Sequence, residues 1–301
     1  MSRKYSVILC TLATDGADVW ETPREILETV AELGYDGVDL DAEPDKIPME
    51  KFNEVRDIAH SVGLQVPGLI LAWAEWHAGE VRDLCSTNEA IRQRTVEYSK
   101  KCVDLSATFD DPPVLEIDAA PPLAENDYPQ TKKPRQLLRE NFAKSAREIC
   151  EYASERNVPI AIEPINRFEG YCGFLNSIVE ARSIADEVGF GLGVLLDFFH
   201  VNIEDGPVGE SILAAGEKLK HVHLADSNRQ APGTGHIDWV EAVRAFNAIG
   251  FDGYLSVDSV PIKPDWKTLL KESIDFMKQV DRVVELQERI DSDMKRELAK
   301  V

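Results

Sequence analysis

Short β-type runs alternate with longer stretches of helical apolar spacing along the chain, and this alternation constrains the fold most. A strand followed each time by an amphipathic helix forms a βα unit of a parallel sheet. Candidate strands fall at residues 5–11, 37–41, 64–71, 113–119, 160–166, 192–200, 220–226 and 253–260. Candidate helices fall at 23–33, 49–61, 88–105, 134–156, 177–188, 209–219, 239–249 and from 266 onward. Eight such repeats predict an α/β fold, a closed (β/α)8 barrel.

The length and composition favour one enzyme-sized domain over residues 1–301, with a C-terminal helical extension from about residue 266. Lys and Arg number 33 against 54 Asp and Glu, which gives a net charge of −21 and disfavours nucleic-acid and membrane partners. No apolar run approaches the length of a membrane span, and the five cysteines form no C-x-x-C pair. We therefore expect a cytoplasmic protein with reduced thiols.

Polar side chains interrupt four consecutive apolar strands in the second half of the chain. These residues are Glu163, Asp197, His223 and Asp258, and their separations of 34, 26 and 35 residues each match about one βα unit. Burying an unpaired carboxylate is costly, so such positions need a compensating partner. Because successive barrel strands present their carboxyl ends at one face, the four side chains are expected to converge on one divalent metal ion. Three carboxylates and one imidazole favour Mn²⁺, with Mg²⁺ or Co²⁺ as alternatives.

The phrases around these positions resemble a known family. They are IEPINRFE at 162–169, LDFFHVNIED at 196–205, HVHLADSNR at 221–229 and PGTGHIDW at 232–239. Together they resemble the ketose 3-epimerases, of the D-tagatose and D-allulose 3-epimerase type, within the xylose-isomerase-like sugar isomerase and epimerase TIM barrels. The resemblance is sharp from about residue 158 to 260. It implies a metal-dependent isomerase that epimerises C3 of a ketose or keto-sugar through a metal-stabilised enediolate.

The resemblance also implies roles for individual residues. Glu163, Asp197, His223 and Asp258 would hold the metal, while Glu163 removes the proton and Asp258 returns it from the opposite face. His200 and Arg229 would contact the carbonyl end of the sugar, and Glu169 would support this polar cluster. Independently of the resemblance, Trp73 and Trp76 fall on the predicted loop after strand three and are candidates to cover the apolar face of the sugar.

The chain departs from the family at strand eight, where Asp258 stands in place of a glutamate. Aspartate is shorter by one methylene, about 1.5 Å of reach, and a misplacement of about 1 Å can cost on the order of 10²-fold in rate. This leaves open a one-base isomerase or a lyase acting on a 3-keto sugar, including the metal-bearing subunit of a C-glycoside-cleaving enzyme.

Two further functional classes stay open alongside an enzyme acting on sugars. One is a non-catalytic partner subunit, and the other is a metal-dependent DNA-repair endonuclease, which the negative charge and the single histidine among the proposed ligands oppose. We expect a small-molecule sugar as substrate and a homo-oligomer, or a hetero-oligomer in the C-glycoside case.

Overall fold

The computed structural model describes residues 3–71, 82–119, 135–168 and 174–298. Its strands are β1 (Lys4–Ile8), β2 (Gly37–Asp41), β3 (Gly68–Ile70), β4 (Val114–Asp118), β5 (Ile160–Glu163), β6 (Gly193–Asp197), β7 (Leu219–Leu224) and β8 (Tyr254–Val257). Each strand pairs in parallel with the next, and β8 returns to pair with β1. The closed barrel predicted from the alternating pattern is thereby confirmed.

Helices follow the strands and cover the outside of the barrel. They are α1 (Leu9–Leu12), α2 (Pro23–Glu32), α3 (Met49–Ser61), α4 (Glu89–Ser106), α5 (Arg135–Ser154), α6 (Ile178–Val188), α7 (Phe198–Glu204), α8 (Val208–Ala215), α9 (Trp239–Ile249) and α10 (Trp266–Leu298). Their apolar faces are buried, as in α9, where Trp239, Val243 and Phe246 pack inward. Among the described residues, no helix combines the length and apolar character needed to cross a bilayer.

Several predicted strands are longer than the observed ones, and in two of them a helix takes up the excess residues. The runs 5–11 and 192–200 were expected to be extended throughout, but β1 ends at Ile8 and β6 ends at Asp197, and a helix begins at the next residue in both places. Most residues of the first turns of these helices are buried, as they would be in a strand. Hydrophobicity alone therefore does not mark the boundary.

The strand register brings the ends of the later strands to one level. Asp118 of β4 lies opposite Glu163 of β5, and Asp197 of β6 lies opposite His223 of β7. Asp258 directly follows β8, and its backbone N–H donates to the carbonyl of Leu224. The carboxyl-terminal mouth of the barrel is consequently lined by acidic side chains and a histidine.

Candidate active site

The four side chains that interrupt the later strands meet at the carboxyl-terminal mouth of the barrel. His223 Nδ1 lies 3.3 Å from Glu163 Oε1. Ligand atoms of Asp197, His223 and Asp258 all lie within 4.8 Å of one another. Each of the four residues is at most 7% exposed. The structure thus brings together the residues proposed as metal ligands.

The two carboxylate oxygens of Asp197 have different surroundings. Its Oδ1 caps α7 by accepting hydrogen bonds from the backbone N–H groups of Phe199, at 2.6 Å, and His200, at 3.2 Å. Its Oδ2 is buried and accepts no hydrogen bond from any described residue. Burial raises the pKa of Asp197 well above its usual range, and repulsion from Asp258 and Glu163 adds to the increase.

Glu163 and His223 form the one close ion pair within this set. Burial would raise the pKa of Glu163, but attraction to His223 and hydrogen bonds from His223 and Glu116 outweigh it and lower the pKa to about 2. Burial would lower the pKa of His223, yet the negative charge of Glu163 raises it to about 9. In the metal-free protein the imidazolium therefore supplies positive charge to the cluster.

The donor set fits a hard divalent cation. Ligand atoms of Asp197, His223 and Asp258 lie within 4.8 Å of one another, Glu163 adjoins His223 and Asp197, and no described residue donates a hydrogen bond to the Oδ2 of Asp197. Buried carboxylates in such number normally need a cation or a proton. Glu163, Asp197, His223 and Asp258 are accordingly the residues that could hold Mn²⁺ or Mg²⁺.

His200 lies at the edge of this cluster, on the first turn of α7. Its Nε2 is 3.9 Å from both Glu163 Oε1 and Asp197 Oδ2. The amide Nδ2 of Asn166 lies 2.8 Å from Nδ1 of His200, and both side chains are buried. An amide that donates to Nδ1 leaves the ring proton on Nε2, directed at the carboxylates.

Arg229 reaches the cluster from the loop after β7. Its guanidinium lies 3.4 Å from Asp258 Oδ2 and is centred 5.0 Å from the ring of Phe199. The backbone of Arg229 has φ +57°, the left-handed region. A non-glycine residue adopts this conformation at a cost, so the surrounding loop must hold it.

Asp226 organises the loop that carries Arg229. Its carboxylate accepts hydrogen bonds from the backbone N–H groups of Ser227 and Gly233, both at 2.7 Å, and from the indole N–H of Trp239 at 2.9 Å. A Cβ at Gly235 would lie 2.2 Å from Asp226 Oδ1. Glycine is therefore required at position 235, because the loop packs closely against the buried carboxylate of Asp226.

Glu116 was not among the sequence candidates, although it satisfies the same criterion as the four that were. It interrupts the apolar strand β4 between Leu115 and Ile117 and is 3% exposed. Its Oε2 lies 3.9 Å from Nε2 of His223. Burial and repulsion from Glu163 raise the pKa of Glu116 well above its usual range. Ligand atoms of Glu116, Glu163 and His223 lie within 4.8 Å of one another.

A second polar layer lies deeper in the barrel and was also not predicted. His221 Nε2 is 2.6 Å from Asp39 Oδ2 and 3.0 Å from the hydroxyl of Ser256, which in turn contacts the hydroxyl of Ser6. Burial opposes ionisation of Asp39, but the neighbouring His221 lowers its pKa below the usual range. The rings of His221 and His223 meet edge to face with centroids 5.5 Å apart.

Three of the predicted substrate-binding residues, Trp73, Trp76 and Glu169, lie outside the described residues. Trp20, on the segment after β1, is described. Its indole N–H donates to Asp41 Oδ2 at 3.3 Å, at the end of β2. This contact places an aromatic ring beside an acidic strand end.

Residues 27–280 match the family model described as "Xylose isomerase-like TIM barrel". The chain is 30% identical over 241 residues to a D-psicose 3-epimerase of Ruminiclostridium cellulolyticum, covering 78% of this chain and 77% of that protein. It is 24% identical to a 3-dehydro-D-guloside 4-epimerase of Escherichia coli, covering 77% and 86%. The crystal structure of the apo form of a 3-keto-D-glucoside 4-epimerase from E. coli superposes with a TM-score of 0.76 at 20% identity, covering 92% of this chain and all of that one.

The chain belongs to the xylose isomerase-like TIM-barrel family. The predicted family and fold are confirmed, and so is the enzyme class, because these relatives are epimerases, which are isomerases.

Proposed function

We propose that this protein is a metal-dependent sugar epimerase that inverts C3 of a ketose or keto-sugar. The observation that carries the proposal is the clustering of buried Glu163, Asp197, His223 and Asp258, whose ligand atoms form overlapping groups within 4.8 Å. Support also comes from the relatedness to a D-psicose 3-epimerase over most of both chains. The net charge of −21 disfavours a phosphodiester substrate.

The chemistry requires a base that is ionised at neutral pH. Removing a proton from a carbon beside a ketone leaves an enediolate, and a divalent ion held by the four ligands would supply the positive charge that stabilises it. Glu163, a buried carboxylate 3.3 Å from Nδ1 of His223 and 3.9 Å from Nε2 of His200, is assigned as the base. His200 presents a ring N–H beside Glu163, where it is assigned to donate to a substrate oxygen.

Asp258 decides between two-base and one-base chemistry. In the epimerisation it returns a proton to the face opposite Glu163. The guanidinium of Arg229 lies 3.4 Å from Asp258 Oδ2, and this contact engages the carboxylate and favours its role as a ligand over that of a proton donor. This contact supports a second candidate, a one-base isomerase or a lyase acting on a 3-keto sugar. A keto-sugar substrate is also consistent with the relatedness to a 3-dehydro-D-guloside 4-epimerase.

An isotope experiment separates these reactions. The protein is loaded with Mn²⁺ and incubated in D₂O with a panel of free ketoses and 3-keto-glycosides. Deuterium at C3 of the recovered ketose supports epimerisation, deuterium at C1 or C2 supports isomerisation, and release of an aglycone supports elimination. Absence of exchange into every sugar of the panel would refute the proposed activity.

Glu163→Gln tests the assignment of the base. We expect it to abolish all exchange, because the amide is nearly isosteric with the carboxylate but does not take up the proton. Glu43→Gln is the matched control, since Glu43 is equally buried but pairs with Arg82 outside the cluster. Substantial turnover by Glu163→Gln, or equal loss in both variants, would refute the role.

The homo-oligomer and the cytoplasmic location stay predictions. The last part of α10 is exposed and carries Leu286, Ile290 and Met294 toward solvent. Sedimentation of the full chain measures the subunit number directly.

A further inference from the structure

Glu116 contacts two of the residues proposed to hold the metal, yet lies below them in the barrel. It is opposite Ala161 in the register between β4 and β5, whereas Glu163 is opposite Asp118. A strand advances about 3.3 Å per residue, so Glu116 lies about 7 Å deeper along the strand than Glu163. The backbone of Glu116 therefore lies deeper in the barrel than that of Glu163, and its side chain extends to within 4.8 Å of ligand atoms of Glu163 and His223.

The two ring nitrogens of His223 face different carboxylates. Nδ1 faces Glu163 Oε1 at 3.3 Å, toward the cluster at the mouth. Nε2 faces Glu116 Oε2 at 3.9 Å. Both Nε2 and Oε2 are buried, and neither has a hydrogen-bond partner among the described residues. A ring movement of about 1 Å brings the pair within hydrogen-bond distance.

Histidines that bind metals usually donate their second ring N–H to a carboxylate or carbonyl, which fixes the tautomer and the ring orientation. If Nδ1 of His223 binds the metal, Nε2 must carry the proton and needs an acceptor. Glu116 Oε2 is the buried acceptor aimed at that nitrogen. A carboxylate oxygen of Glu116 also lies within 4.8 Å of one of Glu163, so the same side chain neighbours a second proposed ligand.

We propose that Glu116 is a positioning residue that orients His223 and Glu163 for metal binding without touching the metal or the sugar. This inference rests on the proposed function, because it presupposes a divalent ion held by His223 and Glu163.

The test measures metal affinity, which a purely structural role would leave unchanged. Chelated wild-type protein, Glu116→Leu, Glu116→Asp and Glu116→Gln are each titrated with Mn²⁺ by calorimetry, and unfolding of each metal-free variant checks that it is folded. We expect Mn²⁺ to bind 10–100-fold more weakly to Glu116→Leu, about the range seen when such outer partners are lost. Glu116→Asp keeps the carboxyl group, but its side chain is too short to reach Nε2 of His223. Its Mn²⁺ affinity should therefore fall by a similar factor, and it provides the test if Glu116→Leu does not fold.

Glu116→Gln is the rescuing variant. Its amide oxygen accepts from Nε2 and its amide N–H donates to Glu163, so its affinity should stay within a few-fold of wild type. Ile117→Val, on the same strand, is the control for a small packing change and should bind Mn²⁺ like wild type.

The outcomes separate this inference from the proposed function. Failure of wild-type protein to bind Mn²⁺ would refute the metal-dependent function itself. Tight binding by wild type together with equally tight binding by Glu116→Leu and Glu116→Asp would overturn the positioning role. Binding by Glu116→Gln as weak as that by Glu116→Leu would also overturn it, because a hydrogen-bond acceptor at this position would then not be enough to support metal binding.

Discussion

Raising the pH should destabilise the metal-free protein through His223. Its pKa in the folded state lies at about 9, against an ordinary value of 6.5, because Glu163 faces Nδ1 at 3.3 Å. A folded-state pKa above the unfolded value means that folding favours the protonated form. The stabilisation is fully present below pH 6.5 and is lost as the pH rises through about 9. The shift corresponds to about 3 kcal/mol of unfolding free energy.

Urea unfolding of chelated protein, followed between about pH 6 and about pH 10, measures this loss. Other groups titrate in the same range, so the informative quantity is the difference between wild type and His223→Gln. We expect wild type to lose about 3 kcal/mol more than His223→Gln across the interval. His60→Gln, which changes an exposed histidine on α3, should follow wild type.

Metal binding should reverse the pH dependence. A metal ion displaces the proton from His223, so Mn²⁺ affinity should rise at least tenfold per pH unit up to about pH 9, with any proton lost from Asp197 adding to the slope. Equal loss of stability in wild type and His223→Gln, together with a pH-independent Mn²⁺ affinity, would refute the assignment of His223 as the charged partner of Glu163.

Two further predictions concern the loops around the cluster. Asp258→Glu should lower kcat by about 10²-fold, because the longer side chain displaces an oxygen that now lies 3.4 Å from Arg229; a rise in C3 deuterium exchange would instead show that the shorter aspartate limits epimerisation. Asp226→Ala should lower the unfolding free energy by about 3 kcal/mol, because it leaves loop N–H donors unpaired, and should also raise KM through Arg229. Unchanged urea midpoint and KM would contradict that role.

Much of the fold followed from apolar periodicity, because each βα unit carries its own signal. The helix over 239–249 begins and ends where predicted. The side chain of Asp238 caps its first turn, and Gly250, with φ +68°, follows its last residue. The ends of β1 and β6 did not follow, since a buried strand and the buried helix after it are equally apolar. The end of a strand depends on which backbone groups form hydrogen bonds, and the hydrophobicity of the sequence does not indicate this.

The site was predictable where polar residues interrupt apolar strands, and the same signal was present at Glu116. The contact between Asp39 and His221 was not predictable in this way. These residues are 182 positions apart and meet only because the closed barrel brings β2 and β7 side chains into one interior layer. Pairing of this kind depends on barrel closure and register, which one sequence does not specify.

Asp197 couples the cluster mechanically to a helix. One oxygen is fixed by two amides of the first turn of α7, so the direction of the other oxygen is set by the backbone and not by a free rotamer. His200 lies in that same turn, so its side chain and the carboxylate of Asp197 are expected to move together. Amide hydrogen exchange at Phe199 and His200 should consequently slow when a cation engages Asp197, which makes the helix start a reporter of occupancy at the mouth of the barrel.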